Sequence, residues 1–185
     1  IQGARLGMGL AVADYDSDGW SDLYVSGFRS GVLYHNRGNG TFEDVTARDS
    51  VSNPAWGCGT TFLDYDRDGR ADLFVANYLE FDPEQPGRFP CDTIDGYPFC
   101  TIAKFSGQPS RLFRNRGDGT FEDASAAAGV AGLEGKGMGV VAADLDDDGL
   151  VDLFQANDSA PSFLFRNLGG GRLREVALEA GVAYD

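Results

Sequence analysis

"DYDSDGWSD" (14–22), "DYDRDGRAD" (64–72) and "DLDDDGLVD" (144–152) are one pattern written three times, D-x-D-x-D-G-x-x-D. A repeat constrains architecture more than any single motif, because each copy must sit in an equivalent place. The likeness runs outward from the acidic stretches. "GMGLAVA", "GCGTTFL" and "GMGVVAA" lead into them, and "DLYVSG", "DLFVAN" and "DLFQAN" lead out. Then come "LYHNRGNGTFEDV", "LFRNRGDGTFEDA" and "LFRNLGGGRLREV". These segments are rich in Val, Phe, Tyr, Leu and Thr, as strands are. Asn39-Gly40, Asp118-Gly119 and Gly170-Gly171 supply the positive φ that two-residue hairpin turns need. One unit therefore reads as four short strands, with the acidic loop between the first and second. Such a four-stranded antiparallel unit, repeated in series, is the blade of a β-propeller.

The expected fold is all-β: a partial β-propeller with three four-stranded antiparallel blades, at about 5–46, 55–124 and 135–177, in a single incomplete propeller region spanning 1–185. Closed propellers have about four to eight blades. The opening "GARLGMG" stands at the head of a unit, and the closing "LEAGVAYD" matches the connector "AAAGVAG" at 126–132. The chain is thus expected to be a piece of a longer protein, completed by further blades or by a neighbouring subunit. The alternative is a short protein whose open edges a partner covers. The units are unequal in one place. Asp22 to Asn36 spans 14 residues and Asp152 to Asn167 spans 15, but Asp72 to Asn115 spans 43. The surplus is an insertion at 79–110, rich in Pro and aromatics, which reads as an excursion on the second unit and not as a linker.

Composition narrows the function classes. The 185 residues carry 29 Asp plus Glu against 15 Lys plus Arg, a formal charge of -14. Such a chain is repelled by nucleic acid and by anionic membrane surfaces. No apolar run approaches the roughly 20 residues that cross a bilayer. A cation binder or an extracellular protein fits better.

The acidic loops have the chemistry of a cation cage. Positions 1, 3 and 5 put three carboxylates on one side of a tight turn, and the Gly at position 6 permits a sharp bend. Position 7 can offer a backbone carbonyl, and the Asp at position 9 closes the shell. Oxygen donors of this number suit Ca²⁺, which takes six to eight of them in a flexible shell, better than the stricter Mg²⁺. An EF-hand would need a Glu at position 12 and flanking helices. Position 12 is Val25, Val75 and Gln155, and the flanks read as strands. Solvated Asp-Gly turns without metal are the bland alternative, and three copies in register argue against it.

On "FLDYDRDGRADLFVANYLEFD", "NRGDGTFEDASAAAGV" and the insertion with its two Cys, the chain resembles the FG-GAP or VCBS repeat proteins, within them most closely the ASPIC/UnbV group. The Asp at position 9 resembles the calcium loops of integrin-type propeller blades. That resemblance implies three Ca²⁺ sites, one per loop. Site one would use Asp14, Asp16, Asp18, the carbonyl of Trp20, and Asp22. Site two would use Asp64, Asp66, Asp68, the carbonyl of Arg70, and Asp72. Site three would use Asp144, Asp146, Asp148, the carbonyl of Leu150, and Asp152. Three Ca²⁺ would take the formal charge from -14 to -8.

Cys91 and Cys100 lie nine positions apart in the insertion. A disulfide there would staple an excursion with little core of its own, and the calcium loops favour it over two free thiols by pointing outside the cell. Zinc is disfavoured, because no second Cys or His pair accompanies them. Cys58 holds an apolar strand position and reads as a small buried hydrophobe. His35 is the single histidine, a variant of a basic strand position that is Arg114 and Arg166 in the other units. Trp20 and Trp56 could be sugar platforms, though loop aromatics are the simpler reading.

The expected function is a calcium-binding extracellular or periplasmic propeller serving interaction, adhesion or structure, not an enzyme. The insertion, with Tyr78, Phe81, Phe89, Tyr97, Phe99 and Phe105, is the candidate contact surface for a protein or glycan; otherwise it is a flap over one blade edge. The alternatives are an accessory subunit of a larger exported or membrane-associated assembly and, behind it, a polysaccharide-acting enzyme. Against the last, no cluster of His, Tyr, Lys or Arg departs from the repeat.

Overall fold

The computed structural model describes residues 6–85 and 91–184. Each repeat forms its own antiparallel sheet. In sheet one β1 (Gly7–Ala13), β2 (Asp22–Gly27), β3 (Ser30–Asn36) and β4 (Phe42–Asp44) lie in chain order. Sheet two begins with β5 (Gly57–Leu63) and β6 (Asp72–Asn77). The chain then leaves through β7 (Asp92–Ile94), β8 (Tyr97–Phe99) and β9 (Gln108–Pro109), and returns as β10 (Arg111–Asn115) and β11 (Phe121–Asp123). A single-turn helix α1 (Ser125–Ala128) and β12 (Glu134–Gly135), which pairs with β9, lead into sheet three. That sheet holds β13 (Gly137–Ala143), β14 (Asp152–Asn157), β15 (Phe163–Asn167) and β16 (Leu173–Glu175), with α2 (Ala177–Ala180) after it. The all-β class and several four-stranded antiparallel sheets, consistent with a partial propeller, are therefore present.

The sheets stack face to face in chain order. Tyr24 and Leu33 of sheet one close on Leu73, Val75 and Phe113 of sheet two. The other face of sheet two sends Phe74 and Leu112 against Leu153 and Phe165 of sheet three. At about 1.5–3 kcal/mol for each large apolar side chain fully buried, these two seams dominate the stability of the stack. The first strands meet along the inner edge, where β5 packs against both β1 and β13. The G-x-G pairs explain that approach. A Cβ on Gly9 would lie 1.8 Å from the Cys58 carbonyl oxygen, so a side chain there would push the two strands apart.

The hairpins correct one expectation. They are not two-residue turns centred on Asn39-Gly40. Arg37 N–H bonds to the Thr41 carbonyl at 3.0 Å, leaving three residues between them, and the positive φ values fall at Gly38 (68°) and Gly40 (83°). Asn39 keeps a negative φ and instead accepts from Thr41 N–H (3.0 Å) and its hydroxyl (2.6 Å). The turn is therefore held by an Asx-type bond, which a dipeptide reading overlooks.

The excursion is folded onto the stack. Cys91 and Cys100 are disulfide-bonded at the two ends of the β7–β8 hairpin. Tyr78, Leu79 and Phe105 are buried around Cys58, with Trp56, Phe81, Cys91 and Ile102 packed against them. Trp56 meets Phe28 at 5.1 Å and Tyr78 at 5.3 Å between ring centroids, so it is a packing residue and no open platform. Phe89 lies outside the described residues. Tyr97 and Phe99 are the exposed aromatics of the hairpin.

Candidate metal centres

Each acidic loop links the first strand of a sheet to the second, and the backbone wraps around its own aspartates. At position 1, Asp14 accepts from the N–H of Asp18 (3.1 Å) and of Gly19 (2.9 Å). Asp64 and Asp144 do the same one and two repeats on. At position 5, Asp18, Asp68 and Asp148 each accept from the N–H of position 7, which is Trp20, Arg70 and Leu150. The bend needs positive φ at positions 4 and 6, seen at Ser17 (61°) and Gly19 (91°) and their counterparts. Nothing crowds Gly19, Gly69 or Gly149, so conformation and not space calls for glycine there.

Position 9 is the anchor. Asp22, Asp72 and Asp152 open the second strands and are 0%, 0% and 2% exposed. Each carboxylate accepts one N–H from position 2 (Tyr15, Tyr65, Leu145) and one at 2.7 Å from the asparagine ending the third strand (Asn36, Asn115, Asn167). Neutral N–H donors do not repay a buried negative charge in full. Burial accordingly raises the carboxyl of Asp22, and pushes that of Asp72 up to about 7 despite its two N–H bonds. Asp16 is raised too, first by burial and then by the neighbouring Asp18 charge.

The carboxylates converge. Oxygens of Asp64, Asp66 and Asp72 lie within 4.8 Å of one another, as do those of Asp144, Asp146 and Asp152. In the first loop Asp14, Asp16 and Asp18 form one such group, and Asp16, Asp22 and His35 a second that shares Asp16. Asp68 and Asp148 stand outside the triads of their loops. Asp68 turns to Arg70 and Arg114, and Asp148 to the Leu150 N–H. In the second and third loops this donor set fits a divalent ion with hard oxygen ligands: one buried carboxylate beside two less buried ones, with charge in excess of the local cations. Bound there, such an ion would offset the negative charge buried at position 9.

Two sets of residues escaped the reading of the acidic pattern. The first is Asn36, Asn115 and Asn167, visible only as the N of "HNRG", "RNRG" and "RNLG". The Asn115 amide donates to the Ala71 carbonyl of its own loop (3.1 Å) and to the Tyr15 carbonyl of the previous loop (2.7 Å). Asn167 repeats this with Val151 (3.0 Å) and Tyr65 (2.8 Å). One side chain thus ties two loops together across the sheet seam. The second is the basic residue just before it. Arg114 bonds Asp66 at 2.7 Å, Arg166 pairs with Asp146, and His35 stands beside Asp16 and Asp22. This strand position serves the loop.

Cys58 is buried and its thiol is pushed up to about 11 by that burial, so little thiolate exists at neutral pH. Trp20 is half exposed and covers Gly38 of the neighbouring hairpin.

A repeated antiparallel sheet with an aspartate loop after its first strand defines the class of protein, and comparison with known proteins agrees. The chain belongs to the FG-GAP-like repeat family, whose profile matches residues 4–75 and 95–154. Cartilage acidic protein 1 from Homo sapiens is 44% identical over 72 residues, covering 37% of this chain and 11% of that protein. The Xenopus tropicalis protein of that name is 39% identical over 74 residues, covering 38% of this chain and 11% of its own length. The chain therefore matches about a tenth of the length of these relatives. A solved Agrocybe aegerita lectin, described for specific recognition of non-reducing terminal N-acetylglucosamine, aligns over 88% of this chain and 50% of its own at 18% identity. Its TM-score is 0.28, and a superposition that loose carries no argument.

Proposed function

We propose that the three acidic loops bind Ca²⁺ and that the ions stiffen a run of propeller blades serving as an interaction, adhesion or structural module outside the cell. The observation that carries this is the position-9 aspartate, buried in every repeat with a second loop carboxylate close beside it. The ligands in each loop are the aspartates at positions 1, 3, 5 and 9 with the position-7 carbonyl, as on Asp14, Asp16, Asp18, Trp20 and Asp22. FG-GAP membership and the likeness to cartilage acidic protein 1 support a binding module over an enzyme. The Cys91–Cys100 disulfide supports an oxidising compartment, extracellular or periplasmic. Melting the chain in EDTA and in Ca²⁺ tests the reading: added Ca²⁺ should raise Tm, and identical curves would refute it.

The blades are three, at about 5–46, 55–124 with the 79–110 insertion, and 135–177, and their ring is completed elsewhere. Leu10 and Val12 on the outer face of sheet one and Val141 on that of sheet three are more than half exposed. The inner seams cover such faces with another sheet. Further blades, or a neighbouring subunit, fit these two ends. The exposed Tyr97 and Phe99 of the insertion are the surface offered to a protein or glycan partner.

A further inference from the structure

His35 is the only histidine of the chain, and it sits where the other two repeats carry Arg114 and Arg166. The substitution changes what the position can do. A guanidinium has donors only, so Arg114 and Arg166 can pair with Asp66 and Asp146 but can never ligate an ion. An imidazole offers a nitrogen lone pair. The Nδ1 of His35 is fully buried and has no hydrogen-bond partner. It lies 3.3 Å from Asp16 Oδ2 and 3.3 Å from Asp22 Oδ1. Its Nε2 is 3.8 Å from Asp18 Oδ2, and the ring meets the Tyr15 ring edge-on. Ligands on an ion with bonds of about 2.0–2.2 Å are separated by roughly 3.0–3.5 Å, which the two histidine–carboxylate spacings match, and the ligand atoms of all three groups lie within 4.8 Å of one another. Asp22 is held at both oxygens: Oδ2 accepts from Tyr15 N–H, and Oδ1, the oxygen facing the histidine, accepts from Asn36 N–H with a lone pair to spare.

We propose that the first loop, unlike the other two, doubles as a mixed nitrogen–oxygen site, in which His35 Nδ1, Asp16 and Asp22 bind a first-row divalent ion of the Zn²⁺ class in competition with Ca²⁺. Imidazole with carboxylates favours such ions, whereas oxygen-only sets favour Ca²⁺. The inference rests on reading the loops as cation sites and divides them by chemistry. Because Asp16 and Asp22 are shared between the two uses of the loop, uptake of Zn²⁺ must release Ca²⁺ from it.

Calorimetric titration of Zn²⁺ into the tag-free, Ca²⁺-saturated chain, together with ¹⁵N spectra of its one histidine, tests this. One equivalent of Zn²⁺ should bind, one Ca²⁺ should be released, and the Nδ1 resonance should shift. H35R should weaken Zn²⁺ by on the order of 100-fold, given that even the hydrogen-bond partners of metal ligands are worth about 10–100-fold. The same variant should keep three Ca²⁺, and R114H should gain a second Zn²⁺ equivalent. Undiminished Zn²⁺ binding by H35R overturns the proposal. Three bound Ca²⁺ with no Zn²⁺ uptake overturns it while leaving the calcium reading intact. Zn²⁺ on His35 with no Ca²⁺ at any loop supports it and overturns the calcium reading instead.

Discussion

The acidic loops and the excursion at 79–110 are both long connections, yet they are held by opposite means. The loops send only their second residue, Tyr15 or Tyr65, into the buried core in the first two repeats. They are shaped by backbone N–H groups turned onto their own carboxylates and by one asparagine apiece. The excursion is held by burial: Tyr78, Leu79 and Phe105 pack beneath it, and a disulfide closes its hairpin. Lys136 adds two bonds, from its ammonium to the carbonyls of Ile102 (3.0 Å) and Ala103 (3.3 Å). The difference teaches where each is vulnerable. A loop built from like charges is only as firm as the cation it can recruit. A segment built on aromatics is indifferent to cations and answers to truncation or reduction.

Four measurements sharpen that contrast, beginning with the largest effect. Saturating Ca²⁺ should raise stability by about 2.7 kcal/mol per site at a hundredfold excess over Kd, so roughly 8 kcal/mol for three sites. Chemical denaturation in EDTA and in Ca²⁺ checks it, and protection should appear in the loops and not in the excursion. Next is N115A. It strips the donor from two carbonyls, those of Tyr15 and Ala71, and should cost about 2–6 kcal/mol at about 1–3 for each acceptor left bare. Stability matching wild type would show that the tie between loops is incidental. Reducing the Cys91–Cys100 bond should cost on the order of 2–3 kcal/mol, localised to the excursion. Limited proteolysis should then cut between β6 and β10, while the Ca²⁺ response stays as before.

The subtlest test is pH dependence without divalent ions. Asp72 has a folded-state carboxyl raised to about 7, above its unfolded value. The folded form binds this proton more tightly, so the stability it contributes is fully present below the unfolded pKa. That stability is lost as pH rises through about 7, with a slope of at most about 1.4 kcal/mol per pH unit for one proton. In EDTA the chain should therefore become less stable from pH 5 to 8. In Ca²⁺ the trend should reverse, since the ion takes the deprotonated ligand and its affinity rises with pH. Denaturant midpoints across that range in both buffers decide the matter, and D72N should flatten the EDTA profile.

Much of this was legible in the residues. Three copies of D-x-D-x-D-G-x-x-D and their flanks gave the four-strand unit and the place of the loop within it. The excursion could be delimited by counting from Asp72 to Asn115. The hairpin turns were misjudged because Asn39-Gly40 fits a two-residue turn locally, whereas the bond from Arg37 to Thr41 sets a wider one. The aromatics of the excursion were legible as a group, but not their division into buried Tyr78 and Phe105 and exposed Tyr97 and Phe99. That division depends on which face meets Cys58 and Trp56.

The sequence by itself determined what repeats: strand alternation, the glycines that bend each loop, and the spacing of carboxylates along it. These are local properties, fixed by φ/ψ preference and by period. Only the tertiary structure decided which aspartate is buried, that Asn115 reaches the carbonyl of Tyr15 one hundred positions earlier, and that His35 faces Asp16 and Asp22. Such contacts cross from strand to loop or from sheet to sheet, so they follow from how the strands fold back and the faces stack. No period in the chain encodes them.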